Sequence, residues 1–310
     1  MDRRAFLQNT AGTLGGLAAA NALSPMLDAA QAAQARPDLV VVKGASADKI
    51  VRAAVDALGG IRRFISKDDV VVIKPNIGWD RTPEQAANTN PEVVTTMIKL
   101  CLEAGAKKVK VFDRTCDDPR RSYVQSGIEA AAKEAGAEVT HLGGRNLSPV
   151  EERRFRKVDI PNGVAIKSWP ICVDVLECDK LINIPIAKHH GSGILTMSIK
   201  NWMGVMGDNR GQAHQDLHTT LADLATIIKP HLTILDAIRI LTAHGPKGGS
   251  LDDVKRLDTV IAGVDQVAID SYGATLFGKK GEDIGHVKDA ADRGLGKIDI
   301  SKLNIRKLEV

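Results

Sequence analysis

Residues 183–204, NIPIAKHHGSGILTMSIKNWMG, gather Lys188, Lys200, His189, His190, Asn183 and Asn201 among glycines directly after an apolar run. Lysines and asparagines near backbone freed by Gly191 and Gly193 suit an anionic ligand, because glycine lets amide groups approach closely. Thr196 or Ser198 is expected to start a helix bearing Lys200 and Asn201, and a helix N-terminus beside lysine favours an anion. Lys200 stands out, since a charge inside the otherwise apolar TMSIKNWMG needs a partner. His214 and His218 are four apart in HQDLH, a spacing that puts two imidazoles on one helical face for a metal. Asp216, read as the cap of a helix from Leu217, would leave His214 outside that helix. With His189 and His190 the pair makes a candidate divalent-metal set. A pocket of lysines and neutral histidines holding a carboxylate or phosphate fits the same residues, and both readings stand. His141, His231 and His286 have no polar company in the sequence and are assigned to structure.

The elements that must position these groups alternate strand and helix. Leu39–Lys43, Asp69–Lys74, Lys107–Asp113, Ala137–Leu142, Lys180–Ile184, Leu232–Leu235 and Leu257–Gly263 read as strands, several too continuously apolar to be half exposed. Helices are expected over Ala47–Leu58, from Pro91 to Ala104, over Tyr123–Ala135, Leu217–Ile228 and Gln266–Phe277. The fold class is α/β, a mostly parallel open sheet covered by helices on both faces. The stretch 153–173, with a turn at Pro161-Asn162-Gly163, reads as a small β-hairpin insertion or a bridge to a second half. The rest forms a single domain over 36–310, with lobes at 36–150 and 174–310 as the alternative division.

In open α/β sheets ligands sit beyond the carboxyl ends of the strands. Polar residues do gather there: Lys74 and Asn76, Asp113-Arg114, Asn183, Lys188 to His190, Asp236, and His244-Gly245-Pro246. Each alone is an ordinary turn former; together they point to one cleft. Serine elbows, phosphate loops and dinucleotide fingerprints are absent from the sequence, and the carboxylates Asp113, Asp236 and Asp270 follow separate elements.

Asp2-Arg3-Arg4-Ala5-Phe6-Leu7 is a twin-arginine pattern followed by a Gly- and Ala-rich segment that Pro25 interrupts, ending at Ala33-Gln34-Ala35. Residues 1–35 therefore read as an export signal served by the twin-arginine machinery, with a periplasmic destination and no stable membrane insertion. A formal net charge of +4 over 310 residues and 3% aromatic residues argue against a nucleic-acid partner. Cys101, Cys116, Cys172 and Cys178 have no CxxC spacing, which argues against an iron–sulfur cluster, and free core thiols are expected.

VIKPN, DKLINIPIAKHHGSGILTMSIKNWMG, HQDLHTTLADL, LTILDAI with HGPKGG, and AGVDQVAIDSYGATLFG occur in this order. Over roughly Val70 to Gly296 the chain resembles the domain-of-unknown-function 362 family, whose members occur in bacteria and archaea. The resemblance implies the α/β fold. It implies that Lys74, Asn76, Asn183, Lys188, His190, Lys200, Asn201, Asp236, Gly245, Pro246 and Asp270 occupy the family's characteristic positions, and it implies no reaction. Some relatives are fused to ferredoxin-type cluster modules, which this sequence does not display.

The expectation is an exported enzyme acting on a small anionic molecule, with a divalent metal as its candidate cofactor. Lys74, Lys188 and Lys200 would hold negative charge, with Asn76, Asn183, Asn201 and Gly245 shaping the ligand subsite. Lys200, His190, Asp236 and Asp270 are the catalytic candidates, and His189, His190, His214 and His218 the metal candidates. The alternative is a periplasmic protein that captures a ligand or metal without turnover.

Overall fold

Apolar runs that cannot leave one face in water dictate a sheet buried on both sides, and helices on each side supply that burial. The computed structural model describes residues 36–144 and 147–310. Residues 1–35, expected from the sequence to be an export signal, lie outside the described residues. Pro37–Val310 form one compact unit, and no helix of the described residues is long and apolar enough to cross a membrane.

Chain order begins with β1 (Leu39–Lys43), α1 (Ala47–Ala57), β2 (Val70–Pro75), α2 (Pro91–Glu103) and β3 (Lys108–Arg114). Ser46 caps α1 by accepting from the Lys49 amide. Asn90 caps α2 with Pro91 in its first turn, as residues of those types do. The helix expected over Tyr123–Ala135 is instead two pieces, α3 (Pro119–Gln125) and α4 (Ile128–Glu134). Gly127 sits between them at φ 72° and ends the first. After β4 (Glu138–Leu142), the short α5 (Pro149–Glu152) and α6 (Val173–Glu177) flank the expected hairpin. That hairpin is real: β5 (Phe155–Asp159) pairs antiparallel with β6 (Ser168–Cys172) as a separate two-stranded sheet. The Asp223 carboxylate ties its connecting loop to the domain by accepting from the amides of Val164, Ala165 and Ile166.

The chain then returns to the main sheet through β7 (Lys180–Ile184), β8 (Ile186–His190) and β9 (Ile194–Thr196). There follow α7 (Leu217–Ile227), β10 (Leu232–Leu241), β11 (Val254–Gly263), α8 (Gln266–Thr275), α9 (Gly285–Asp292) and β12 (Ile305–Glu309). The sheet runs β12-β1-β11-β10-β7-β2-β3-β4, with β8 attached to β10 and β9. β10, β7, β2, β3 and β4 are mutually parallel; β11 is antiparallel to both its neighbours. Successive strand residues enter opposite cores. Val71, Ile73, Ile182 and Ile184 pack with α1 and α2, whereas Val72 and Leu181 join the core built from α7, α8 and α9.

The connectivity reverses between β2 and β7. From β2 the chain moves outward through β3 to β4, and from β7 it moves the other way to β10. Lys74 and Asn183 are register partners across that boundary, where the carboxyl ends of adjacent strands leave a crevice. Two local expectations fail here. No α-helix starts at Thr196 or Ser198: Thr196 ends β9, and Lys200–Val205 is a six-residue 3₁₀ turn, so no helix N-terminus serves an anion. Asp236 does not end its strand, because β10 continues through it to Leu241, with a register irregularity after Ala237.

Candidate anion-binding site

A cavity of about 270 Å³ opens at the β2/β7 crevice and includes Lys74, Asn76, Asp113, Lys188, His190, Lys200, Asn201, Arg210 and His214 in its wall. Trp79, Cys116, Arg210 and His214 also border a wider outer recess of about 700 Å³. The inner volume suits a small molecule rather than a drug-sized one.

β2 supplies Lys74, whose side chain is fully buried. Its Nζ lies 2.7 Å from Asp113 Oδ1 at the end of β3 and donates to Asn201 Oδ1 at 3.0 Å and Pro75 O at 2.8 Å. Asp113 Oδ2 also accepts from the Ile77 amide at 2.6 Å. Gly204 is what leaves room for this pair: a Cβ there would sit 1.7 Å from Asp113 Oδ1 and 2.6 Å from Lys74 Nζ. Asn201 is the hub. Its Nδ2 donates to Asn183 Oδ1 at 2.8 Å and to Lys74 O at 3.2 Å, while its Oδ1 also accepts from Asn76 Nδ2 at 3.1 Å. Asn76 Oδ1 then accepts from Lys188 Nζ at 3.0 Å, and Lys188 donates in addition to Ala87 O. Networks of this kind fix every member's orientation when each polar atom is satisfied.

Lys200 differs. It is 8% exposed, its Nζ approaches Met203 Sδ at 3.7 Å, and no oxygen of the described residues accepts a hydrogen bond from it. Burial, which penalises the ammonium, pulls Lys188 down to about 7 and Lys200 down to about 8, and the cations around Lys188 push the same way. Lys74 is also lowered by burial, with Asp113 opposing. His190 Nδ1 accepts from the Gly193 amide at 3.0 Å, so the neutral ring carries its proton on Nε2. Burial and the nearby Lys200 and Lys188 hold this ring neutral, down to about 2.

Asp270 and Asp236, both expected to be catalytic, are not in the cavity wall. Asp270, on α8, accepts from the amides of Ser198 at 2.7 Å and Ile199 at 2.9 Å, anchoring the turn that carries Lys200. Asp236 accepts from the amides of Asn90 at 2.7 Å and Ile238 at 3.0 Å, holding the start of α2 against β10. Burial raises Asp236 to about 6 and Asp270 to about 7 against these donors. Both act on backbone. Asn183 likewise stands behind the wall, supporting Asn201 and donating to Ser198 O and Oγ. Gly245 is also outside it, packed on the His189 carbonyl, while Pro246 reaches the wall.

The four histidines do not converge as a metal set. His189 Nδ1 accepts from the Gly245 amide at 3.1 Å. His218 stacks on His286, with the two Nδ1 atoms 3.2 Å apart, so His286 has polar company that its sequence neighbours did not reveal. His190 and His214 alone face the cleft, ring centroids 6.4 Å apart. His214 belongs to the 3₁₀ turn Arg210–His214 rather than α7, which removes the one-face geometry of the HQDLH spacing. Among the described residues no group of three His, Cys, Asp or Glu side chains is placed to hold an ion.

Residues 71–275, well over half of the chain, match the family described as a domain of unknown function, DUF362. The chain belongs to the DUF362 family. A similar DUF362 relative is the thylakoid-associated protein sll1697 of Synechocystis, 27% identical over 228 residues, 71% of this chain and 66% of that protein. Among solved structures, a Thermotoga maritima protein gives a TM-score of 0.40 at 12% identity over 79% of this chain and 56% of its own. The lactate racemase apoprotein of Thermoanaerobacterium thermosaccharolyticum gives 0.39 at 11% identity over 83% and 57%. This DUF362 chain thus spans just over half the length of those two proteins.

Sequence reasoning missed Arg210 and Cys116. Arg210 donates to the carbonyls of Arg114 and Thr115 and lies 3.3 Å from Cys116 Sγ. The Asn209-Arg210-Gly211 loop offered no signal beyond that of a solvated turn. Cys116 corrects the expectation of core thiols: it is exposed, whereas Cys101 and Cys172 are buried and Cys178 is intermediate, all four free.

Proposed function

We propose that this chain is an exported enzyme that binds a small carboxylate or phosphate in the crevice between β2 and β7 and acts on it there. One observation carries the reading. Lys74, Lys188, Lys200 and Arg210 line a cavity in whose wall, among the described residues, the one carboxylate is Asp113, already engaged by Lys74. Desolvated cations without counterions are unfavourable in an empty site and favourable once an anion enters. Amines titrating at about 7 and about 8 favour turnover over simple capture, since both protonation states of Lys188 and Lys200 are accessible near neutrality. Capture without turnover is the second reading, favoured by the engagement of Asp236 and Asp270 with backbone amides away from the cavity.

The test is a thermal-shift screen of residues 36–310 against small carboxylates and inorganic phosphate. A ligand at a hundred times its Kd adds about 2.7 kcal/mol to the folded state. The stabilisation should weaken with salt and vanish in Lys200→Ala and His190→Ala. Undiminished binding in both variants refutes this cleft as the site, and turnover of a stabilising anion separates enzyme from binder. Export through the twin-arginine machinery predicts that Arg3→Lys with Arg4→Lys retains the chain in the cytoplasm; unchanged secretion refutes it.

A further inference from the structure

We propose that Lys200 forms an imine with the carbonyl carbon of a small oxo acid whose carboxylate is held by the neighbouring cations of the cavity. This deepens the anion reading above and rests on it. The three buried lysines differ in what occupies their nitrogens. Lys74 is paired with Asp113, and Lys188 donates to Asn76 Oδ1 and Ala87 O. Among the described residues Lys200 Nζ meets the thioether of Met203 alone, a weak acceptor that leaves the amine lone pair available once the proton is lost. Burial beside other cations is the environment that makes a lysine amine nucleophilic, and the lowered affinity of Lys200 for its proton agrees.

The stem of Lys200 is held in place. Asp270 fixes the two residues before it through their amides. Gly193 lies so close that a Cβ there would come within 2.8 Å of Lys200 Cε and 3.4 Å of His190 Nδ1. Lys200 and His190 therefore flank the same glycine, and the neutral ring offers an Nε2–H donor at the cavity wall.

The step balances without a further reagent. The nitrogen lone pair forms the C–N bond while the carbonyl π pair moves to oxygen. A proton passes from nitrogen to that oxygen, giving the carbinolamine. Departure of this hydroxyl with the second amine proton, as one water, leaves the C=N bond with no net oxidation.

The experiment incubates the protein with pyruvate or acetoacetate, reduces with borohydride and maps the peptides by mass. Melting with malonate, an anion that lacks the ketone, is measured in parallel. The expected result is a reduced adduct, of probe mass less one water plus two hydrogens, concentrated on the Lys200 peptide over those of exposed lysines such as Lys302. Malonate should suppress it several-fold, and Lys200→Arg should abolish it while still melting cooperatively. Malonate stabilisation with no Lys200 adduct overturns the imine and leaves the anion site standing. Neither stabilisation nor adduct removes both. An adduct that malonate leaves undiminished overturns the carboxylate subsite.

Discussion

Replacing Asp113 with Asn tests the electrostatic centre of the site, because it removes one charge and almost no volume. Lys74 and Asp113 are 0% and 2% exposed, with 2.7 Å between Nζ and Oδ1. Removing one partner of a buried pair costs about 3–5 kcal/mol, mainly by leaving the other charge uncompensated. For a domain of this size, about 2 °C of Tm per kcal/mol gives a fall of roughly 6–10 °C. Lys74 still donates to Pro75 O and Asn201 Oδ1 in the variant, so the lower end is expected. The deficit must also depend on pH. Burial already lowers Lys74 from 10.5, and loss of Asp113 removes the interaction that opposes this. Between the lowered folded value and 10.5 the unfolded chain binds more protons, so the variant's stability rises with pH and its deficit shrinks toward alkaline conditions. Urea denaturation of the wild type, Asp113→Asn, Lys74→Met and the double variant, each at neutral and alkaline pH, measures both effects. The double variant should recover most of the loss, since an apolar replacement of a buried pair is often neutral. A loss below about 1 kcal/mol, or a double variant no more stable than Asp113→Asn, would refute the coupling.

Two further outcomes follow from the same charges. Lys188 at about 7 and Lys200 at about 8, against 10.5 when unfolded, should make wild-type stability rise with pH from about 7 to about 10. Lys188→Met or Lys200→Met should flatten that slope and raise Tm at neutral pH; an unchanged slope in melts across this range would contradict the assignment. Asp270→Asn sets an amide against two backbone N–H donors and should cost about 1–3 kcal/mol. It should weaken anion binding through the displaced Lys200 turn, a result checked by melting and anion titration together, and retained affinity would remove the positioning role.

The strands and most helices were legible because their signals are local. VVVI in β2 must be buried on both faces, and Asn90-Pro91 starts a helix by its own chemistry. Of the residues gathered by the strand-end rule, Lys74, Asn76, Lys188 and His190 line one cavity; Lys200 joins them from a 3₁₀ turn rather than from the helix expected to carry it. What could not be read was the direction in which each polar side chain is used. Asp236 and Asp270 follow apolar runs just as Asp113 does, yet they are engaged by backbone amides, while Asp113 meets the Lys74 ammonium as well as the Ile77 amide. The sequence pattern is the same; the difference arises from packing between elements distant along the chain. The histidine pair is a different case. Asp216, read from the sequence as the cap of the helix from Leu217, does stand at that helix start, and His214 falls outside it in a 3₁₀ turn.

Holding Lys188 and Lys200 in a cavity with no acidic partner among the described residues works against folding, and a ligand of the proposed kind would supply the missing charge. A flexible surface cluster would avoid the desolvation but would have to order its side chains on every binding event, at about 0.5–1.5 kcal/mol for each. Here that ordering is built in before the proposed ligand would arrive. Asn201 and Asn76 fix Lys74 and Lys188, and Asp270 fixes the turn of Lys200. Cations already oriented and already stripped of water interact with an entering anion without reorganising, which is the condition under which electrostatic stabilisation is strongest. The neutral-pH stability regained in Lys200→Met would therefore measure what the fold gives up to keep the site ready. It should appear together with loss of anion affinity, because both effects originate in the same uncompensated ammonium.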